Sequence, residues 1–119
     1  MAENPRVGVL VPNLFLRVGV DAAVQAGGGQ VLGLSDPAPA ATAGCVAVIV
    51  DLDALGPDPA PAITALAATG AAVLAFGPHV QGERLAAARA AGAVVLPRSV
   101  FLQRLPELLA AVLGPGREG

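Results

Sequence analysis

The sequence predicts an α/β fold in which a doubly wound parallel sheet of five strands lies between two layers of helices. Short apolar runs rich in β-branched residues recur along the chain, and stretches with helical periodicity separate most of them. Glycines end several of the helical stretches. Because parallel strands are joined by right-handed helical crossovers, this alternation indicates repeated βαβ units.

The predicted strands share a short, apolar and β-branched composition. The central one opens residues 46–53, which read Val-Ala-Val-Ile-Val-Asp-Leu-Asp. This run is typical of a buried parallel strand that delivers Asp51 and Asp53 to the carboxyl edge of the sheet. The expected strand order is the flavodoxin-like order 2-1-3-4-5. The predicted strands cover residues 6–11, 30–34, 45–50, 71–76 and 93–96.

Five helices are predicted, four of them regular, from apolar spacing and from residues that favour helix ends. Asn13 is an N-cap candidate for the first helix, and Asp58 and Ser99 are candidates for the third and fifth. A short or irregular second helix is expected within residues 35–44, beginning at Asp36-Pro37. The four regular helices cover residues 14–26, 58–68, 81–91 and 99–113.

The first helix carries an apolar stripe of the kind that packs against a core. Its spacing places four apolar residues on one face, namely Leu14, Phe15, Val18 and Ala22.

Composition indicates one domain with a surface suited to association. The 119 residues fit a single domain spanning 1–119, with an expected ordered core at about 6–113. Hydrophobic residues make up 55% of the chain and charged residues 13%, which is well below the usual quarter. Much of the apolar excess is alanine. We therefore expect a partly apolar surface that binds a partner or a second copy.

The charge pattern argues against two classes of partner. All seven basic residues are arginine, no basic run is present and the net charge is −2, so nucleic-acid binding is not expected. Apolar windows such as residues 71–80 are interrupted by glycine and proline before they could span a bilayer, so no membrane segment is expected. Since no secretory leader is recognisable, we expect a cytoplasmic protein.

One cysteine and one histidine limit the metal chemistry. Cys45 cannot form a disulfide framework or a cysteine-based metal site within the chain. Because His79 is the only histidine, a multi-histidine site within the chain is excluded, and no metal site is expected. His79 is interpreted as a loop residue that hydrogen-bonds backbone, with ligand binding and pH sensing as alternatives.

Polar residues follow the predicted strands and should meet at the carboxyl edge of the sheet. Because ligands of open α/β sheets bind at this edge, these residues form the candidate site, either as an ion-pair cluster or as a ligand site. The candidates are Asn13, Asp51, Asp53, His79, Arg98 and Ser99.

Two motifs give the chain a resemblance to response-regulator receiver domains over almost its whole length. The first is Val-Ile-Val-Asp-Leu-Asp, in which Asp51 ends the third strand. The second is residues 91–99, Ala-Gly-Ala-Val-Val-Leu-Pro-Arg-Ser, similar to the Gly-Ala…Leu-Pro-Lys-Ser of many receivers. The chain also resembles a group of small, poorly characterised bacterial receiver-like proteins with a Phe-Gly-x-His-Val loop after strand four.

The resemblance implies roles that this sequence fills in part. It makes Asp51 the candidate phosphoacceptor and places Arg98 where receivers carry a lysine. The acidic pair that holds Mg²⁺ in receivers is replaced by Val11-Pro12-Asn13, and Ala75-Phe76-Gly77 lacks their strand-four hydroxyl. We therefore expect a degenerate receiver without Mg²⁺ or another cofactor, although Asp53 offers a second possible ligand. Arginine is expected to bind Asp51 bidentately and hold one state.

Alternative roles for these residues lead to different functions. Asp51 can close the third strand and pair with Arg98, or it can accept a phosphoryl group. A hydrolase triad of Ser99, His79 and Asp51 lacks the Gly-x-Ser-x-Gly elbow, so the chain is predicted not to be an enzyme.

Three functions remain in order of preference. The first is a receiver-like module that binds an unknown protein and forms a homodimer through the fourth helix, fifth strand and fifth helix. The second is a sensor that binds a phosphate or carboxylate ligand through Arg98, His79 and Asn13. The third is a stand-alone phosphorylated receiver. The charged residues expected on the homodimer face are Arg84, Arg89, Arg104 and Glu107.

Overall fold

Five parallel strands form one sheet in the order β2-β1-β3-β4-β5, which confirms the predicted fold class and strand order. The structure is a computed structural model that describes residues 4–38, 42 and 44–114, with the backbone alone for His79. The strands are β1 (Arg6–Leu10), β2 (Gln30–Gly33), β3 (Cys45–Asp51), β4 (Ala72–Gly77) and β5 (Val94–Pro97).

Helices cover both faces of the sheet, giving three layers. Helices α1 and α4 pack on one face, and α2 and α3 pack on the other. In the part of the chain that the structure describes, none of these helices is long and apolar enough to cross a membrane. The helices are α1 (Leu14–Ala26), α2 (Ala60–Ala67), α3 (Gly82–Ala90) and α4 (Arg98–Leu113), with 3-10 turns at Leu52–Leu55 and His79–Gln81.

The alternation of side chains along β3 divides the core into two halves. Ile49 packs with the residues of α1 and α4, whereas Val48 and Val50 pack with those of α2 and α3. All three are essentially inaccessible to solvent. Since both faces of β3 are buried, this strand is apolar at every position until Asp51, and the carboxylate marks the point where the chain leaves the core.

The predicted packing face of α1 is wrong. Leu14, Phe15 and Val18 are 76%, 92% and 71% exposed, and the buried residues of the helix are Val20 and Val24. The spacing was ambiguous because α1 has only two charged residues and is apolar on nearly every side. In the folded chain the two valines lie one turn apart and face the sheet.

Two predicted helix starts also need correction. Ser99 is not an N-cap, because α4 begins one residue earlier, at Arg98, and Pro97 occupies the cap position with extended backbone. Asp58 accepts a hydrogen bond from the Ala60 amide at 3.3 Å, but Pro59 is the N-cap of α2. In both cases a proline with restricted φ sets the start of the helix.

The segments after β2 and β3 were predicted as a short or irregular helix and as a loop. The expected loop after β3 contains the 3-10 turn Leu52–Leu55. The short or irregular helix expected within residues 35–44 falls partly on 39–41 and 43, outside the described residues. Residues 35–38 are not helical.

Candidate functional site

Asp51 is the last residue of β3, and its side chain is only 7% exposed. Because β3 lies between β1 and β4, strands flank the carboxylate on both sides. The carboxylate accepts a hydrogen bond from the Asp53 amide at 3.0 Å and so caps the 3-10 turn Leu52–Leu55. This local bond is the ordinary role of an aspartate at a helix start.

Asp53, in the 3-10 turn, bridges two arginines from different helices. Its Oδ1 lies 3.0 Å from Nη1 of Arg84, and its Oδ2 lies 3.0 Å from Nη2 of Arg98. We call Asp51, Asp53, Arg84 and Arg98 the aspartate–arginine cluster. With two carboxylates and two guanidinium groups, the cluster is electrically balanced.

Arg84, in the first turn of α3, attaches that helix to the segment after β3. Nη1 also donates to Oε1 of Gln81 at 2.6 Å, while Nη2 donates to the carbonyls of Leu52 at 2.7 Å and Gly56 at 2.5 Å. Gly56 has φ 77° and ψ −168°, a conformation that only glycine adopts readily. The guanidinium therefore holds both ends of the 3-10 turn.

Arg84 was not predicted as a member of the site and was placed on the homodimer face instead. The available signal was its position at the start of the helix that follows β4, because helices of a parallel sheet begin at the carboxyl edge. Its long side chain can reach back along that edge, and it does so toward Asp53.

Arg98, the first residue of α4, does not bind Asp51 bidentately, and that expectation is corrected. Its Nη2 lies 3.8 Å from Oδ1 of Asp51, which is an ion-pair distance beyond hydrogen-bonding range, while it hydrogen-bonds Asp53. The hydrogen bond thus goes to the half-exposed Asp53 rather than to the nearly buried Asp51. The Nε atoms of Arg84 and Arg98 are buried without a hydrogen-bond partner.

Burial raises the pKa of Asp51 above the ordinary carboxyl value. The Asp53 amide and the positive charges of Arg98 and Arg84 act in the opposite direction and lower this pKa, while the neighbouring Asp53 carboxylate raises it further. Desolvation is the largest of these effects, since a charged carboxylate loses its water at the end of a buried strand.

Two further predicted site residues, Asn13 and Ser99, have other positions. Asn13 accepts hydrogen bonds from the amides of Phe15 at 2.9 Å and Leu16 at 3.2 Å, so it caps α1 as predicted. Ser99 is exposed in the first turn of α4. The backbone of His79 begins the 3-10 turn after β4, and its side chain lies outside what the structure describes.

A cavity of about 330 Å³ opens at the same edge, on the side of β1 and β2. Polar and apolar groups share its wall, which includes the guanidinium-bearing Arg17 and the hydroxyl-bearing Ser35. Among the described side chains there is no group of three His, Cys, Asp or Glu residues placed to hold a metal ion. The other lining residues are Leu10, Val11, Pro12, Leu14, Leu34 and Ala54.

Comparison with known proteins identifies the fold. No family model and no curated protein matches the sequence significantly. Solved structures do match. A response regulator from Thermotoga maritima is 18% identical with a TM-score of 0.74, and the match covers 93% of this chain and 98% of that one.

Two further structures match over nearly their whole length. A putative response regulator from Chloroflexus aurantiacus is 15% identical with a TM-score of 0.75, covering 93% of this chain and 98% of that one. The receiver domain of a sensor histidine kinase from Pseudomonas aeruginosa, whose structure has a magnesium ion in its active-site cleft, is 18% identical with a TM-score of 0.74. That match covers 94% of this chain and 99% of the other. At these identities the likeness establishes the fold alone.

Proposed function

Starting from a chain with the receiver fold, we propose that it is a receiver-like signalling module that acts by binding another protein. In this proposal the aspartate–arginine cluster holds the carboxyl edge in one state, without a phosphorylation cycle. The observation that carries the proposal is the bridge from Asp53 to both Arg84 and Arg98. A cytoplasmic location and the absence of enzymatic activity belong to the same proposal.

Asp51 and Asp53 already face arginines, and this supports a carboxyl edge that stays closed to phosphoryl donors. A phosphoryl donor must reach Asp51, but the Asp51 side chain is nearly buried and Arg98 lies 3.8 Å from its Oδ1. Arg98 is held there by its hydrogen bond to Asp53. Opening the edge would separate charge-assisted hydrogen bonds, which are stronger than neutral ones.

The donor groups at this edge do not fit Mg²⁺. Magnesium takes hard oxygen ligands in a near-octahedral arrangement, and carboxylates balance its charge. Both oxygens of Asp53 already accept from arginines, and the amide oxygen of Asn13 caps α1. Asp51 alone is a poor site, so the proposal includes no resident metal.

Treatment with acetyl phosphate and Mg²⁺, followed by intact-mass measurement, tests the proposal. We expect the wild-type chain to stay unmodified, as should an Asp51→Asn control, while a typical receiver domain treated in parallel gains a phosphoryl group. An adduct that forms on the wild type and disappears in Asp51→Asn would establish the phosphorylated-receiver alternative instead.

The cavity favours a second candidate, a sensor for a small molecule with an apolar body and an anionic group. The cavity lies over the carboxyl ends of β1 and β2 and reaches Ala54 after β3, near the point where the strand order reverses. Ligands of open α/β sheets bind at such a point. Arg17 is the charged residue among the described residues of its wall, which include neither Arg98 nor Asn13 of the set expected from the sequence.

Thermal-shift measurements with nucleotides and phosphorylated metabolites separate the two candidates. A rise in melting temperature that Arg17→Ala abolishes would favour a ligand in the cavity, and a rise that Arg98→Ala abolishes would favour the residues first expected. An unresponsive protein is the result expected for the interaction module.

A further inference from the structure

The outer face of α1 is an apolar surface that stays exposed among the described residues. We define this α1 outer face as Leu14, Phe15, Val18 and Ala22, which helical spacing places side by side. Leu14, Phe15 and Val18 are the three most exposed large apolar residues of α1, and Phe15 is almost wholly in solvent. Contiguous apolar patches of this kind mark interaction sites on soluble proteins.

The packing of α1 within the domain is complete without this face. Val20 and Val24 are fully buried against the sheet on the opposite side of the helix. Leu16 and Ala23 pack against the same half of the core. Within residues 4–38 and 44–114, the exposed residues are therefore not a partly formed core, and none of this packing covers them.

The apolar surface continues from α1 onto α4. A Cβ atom at Gly19 would lie 3.1 Å from Cδ1 of Leu102, so the leucine is in close contact with the α1 backbone. Leu102 is itself 37% exposed. The missing side chain at Gly19 lets α4 approach and makes Leu102 a neighbour of the α1 outer face.

The charges of α1 fit a second copy of the same helix. Its only charged residues are Arg17 and Asp21, which pair at 2.9 Å and border Leu14 and Val18 in helical spacing. A twofold axis crossing near Gly19 would make the helices of two copies antiparallel. Each Arg17 would then face Asp21 of the other copy, because the axis lies midway between the two positions.

We propose that the chain forms an isologous dimer in which the α1 outer faces of two copies pack antiparallel, bordered by Leu102. The charges of Arg17 and Asp21 sum to zero, so the helix itself adds no repulsion between two copies. An acidic chain with a net charge of −2 and a single arginine on this helix is poorly suited to an anionic membrane surface. This inference does not depend on the state of the aspartate–arginine cluster.

The homodimer face expected from the sequence offers fewer free groups. Arg84 is engaged in the cluster, Arg89 donates to the carbonyl of Val95, and Arg104 pairs with Glu107 at 2.9 Å. Association through that face stays a prediction, and the experiment below distinguishes it from association through α1.

Sedimentation velocity over a range of protein concentrations tests the proposal. An interface centred on one helix falls below about 1,200 Å² in total, so we expect a reversible dimer with a micromolar dissociation constant. Phe15→Glu should make the protein monomeric, because it places two like charges in an apolar contact. Arg104→Glu, the matched control on α4, should leave the dimer intact. Circular dichroism melts should show that both variants fold.

Charge exchange on α1 tests the antiparallel arrangement itself. Arg17→Asp should weaken the dimer several-fold, since the introduced carboxylate would face Asp21 of the other copy. The double exchange Arg17→Asp with Asp21→Arg should restore the wild-type dissociation constant. A wild-type monomer throughout the micromolar range would overturn the proposal, as would a dimer that survives Phe15→Glu or a double exchange that fails to restore it. Dissociation by Arg104→Glu instead would assign the dimer to the other face.

Discussion

Nη1 of Arg84 lies 3.0 Å from Oδ1 of Asp53, and this ion pair joins the helix after β4 to the turn after β3. The same guanidinium also donates to two backbone carbonyls of that segment. One side chain thus links two neighbouring connections at the carboxyl edge.

Replacing Arg84 with alanine should loosen the segment after β3. We expect the free energy of unfolding to fall by about 2 kcal/mol, because several hydrogen bonds from a charged donor are lost together. Urea denaturation measures this loss, and hydrogen exchange should show faster exchange of amides in residues 52–56. Arg89→Ala, on the same helix, removes one hydrogen bond and should cost less than about 1 kcal/mol. Equal losses in the two variants would contradict this account of Arg84.

Asp51→Asn should stabilise the protein at neutral pH. The folded chain raises the pKa of Asp51 above its ordinary value of 3.8, so the buried charged form opposes folding at pH 7. As the pH falls through the raised pKa, the folded chain binds a proton first and this cost disappears. Thermal melts should therefore show a higher melting temperature for the variant at pH 7 and a difference that shrinks toward pH 4.

Asp53→Asn serves as the control for that pH dependence. Asp53 pairs with both Arg84 and Arg98, so removing its charge should lower the melting temperature at pH 7 instead of raising it. If both substitutions raise the melting temperature equally, repulsion among negative charges at the carboxyl edge, rather than burial of Asp51, lowers the stability of the wild-type chain.

A buried and an exposed phenylalanine should respond very differently to truncation. Phe101 is buried and its ring centroid lies 4.7 Å from that of Phe76, so Phe101→Ala should cost about 3–5 kcal/mol. Phe15→Ala, at an exposed position, should change the stability of dilute protein by less than about 0.5 kcal/mol. Chemical denaturation of the two variants under one set of conditions is sufficient. A large loss for Phe15→Ala would mean that the ring is buried in the folded monomer.

Two glycines should respond to alanine with opposite signs. Gly56 has a positive φ of 77°, so Gly56→Ala should cost about 1–3 kcal/mol. Gly82 begins α3 with helical backbone, and a Cβ added there would meet open space. Gly82→Ala should therefore raise the free energy of unfolding by about 0.4–1 kcal/mol. Urea denaturation of both variants checks the signs, and a loss at both positions would mean that crowding rather than backbone conformation decides the outcome.

The sequence was sufficient for the sheet because its signals are local. β-Branched runs such as residues 45–50 and glycines at the helix ends mark the elements, and the handedness of crossovers leaves few topologies. The packing of α1 could not be read in this way, since its apolar residues fit two faces. Only contact with Leu102 and the sheet decides which face is buried.

The location of the candidate site could be predicted from the sequence, but the ion pairs within it could not. Strand ends located Asp51, Asp53 and Arg98 at the carboxyl edge, and the structure brings these three together. Which carboxylate each arginine binds depends on side-chain reach across elements about 30 to 45 residues apart in the chain. The position of Arg84 at the start of α3 indicates the same edge, but no spacing rule pairs it with Asp53, so it was missed.

The hydrogen bond from Arg89 to the carbonyl of Val95 bears on how copies of this chain can meet. β5 ends the sheet and has a neighbouring strand on one side, within the sheet that the structure describes. Unpaired groups along such an edge can template the addition of a foreign strand and the growth of fibres. Through this hydrogen bond Arg89 places a positive charge at β5, and charged side chains at an edge strand hinder pairing with a foreign strand.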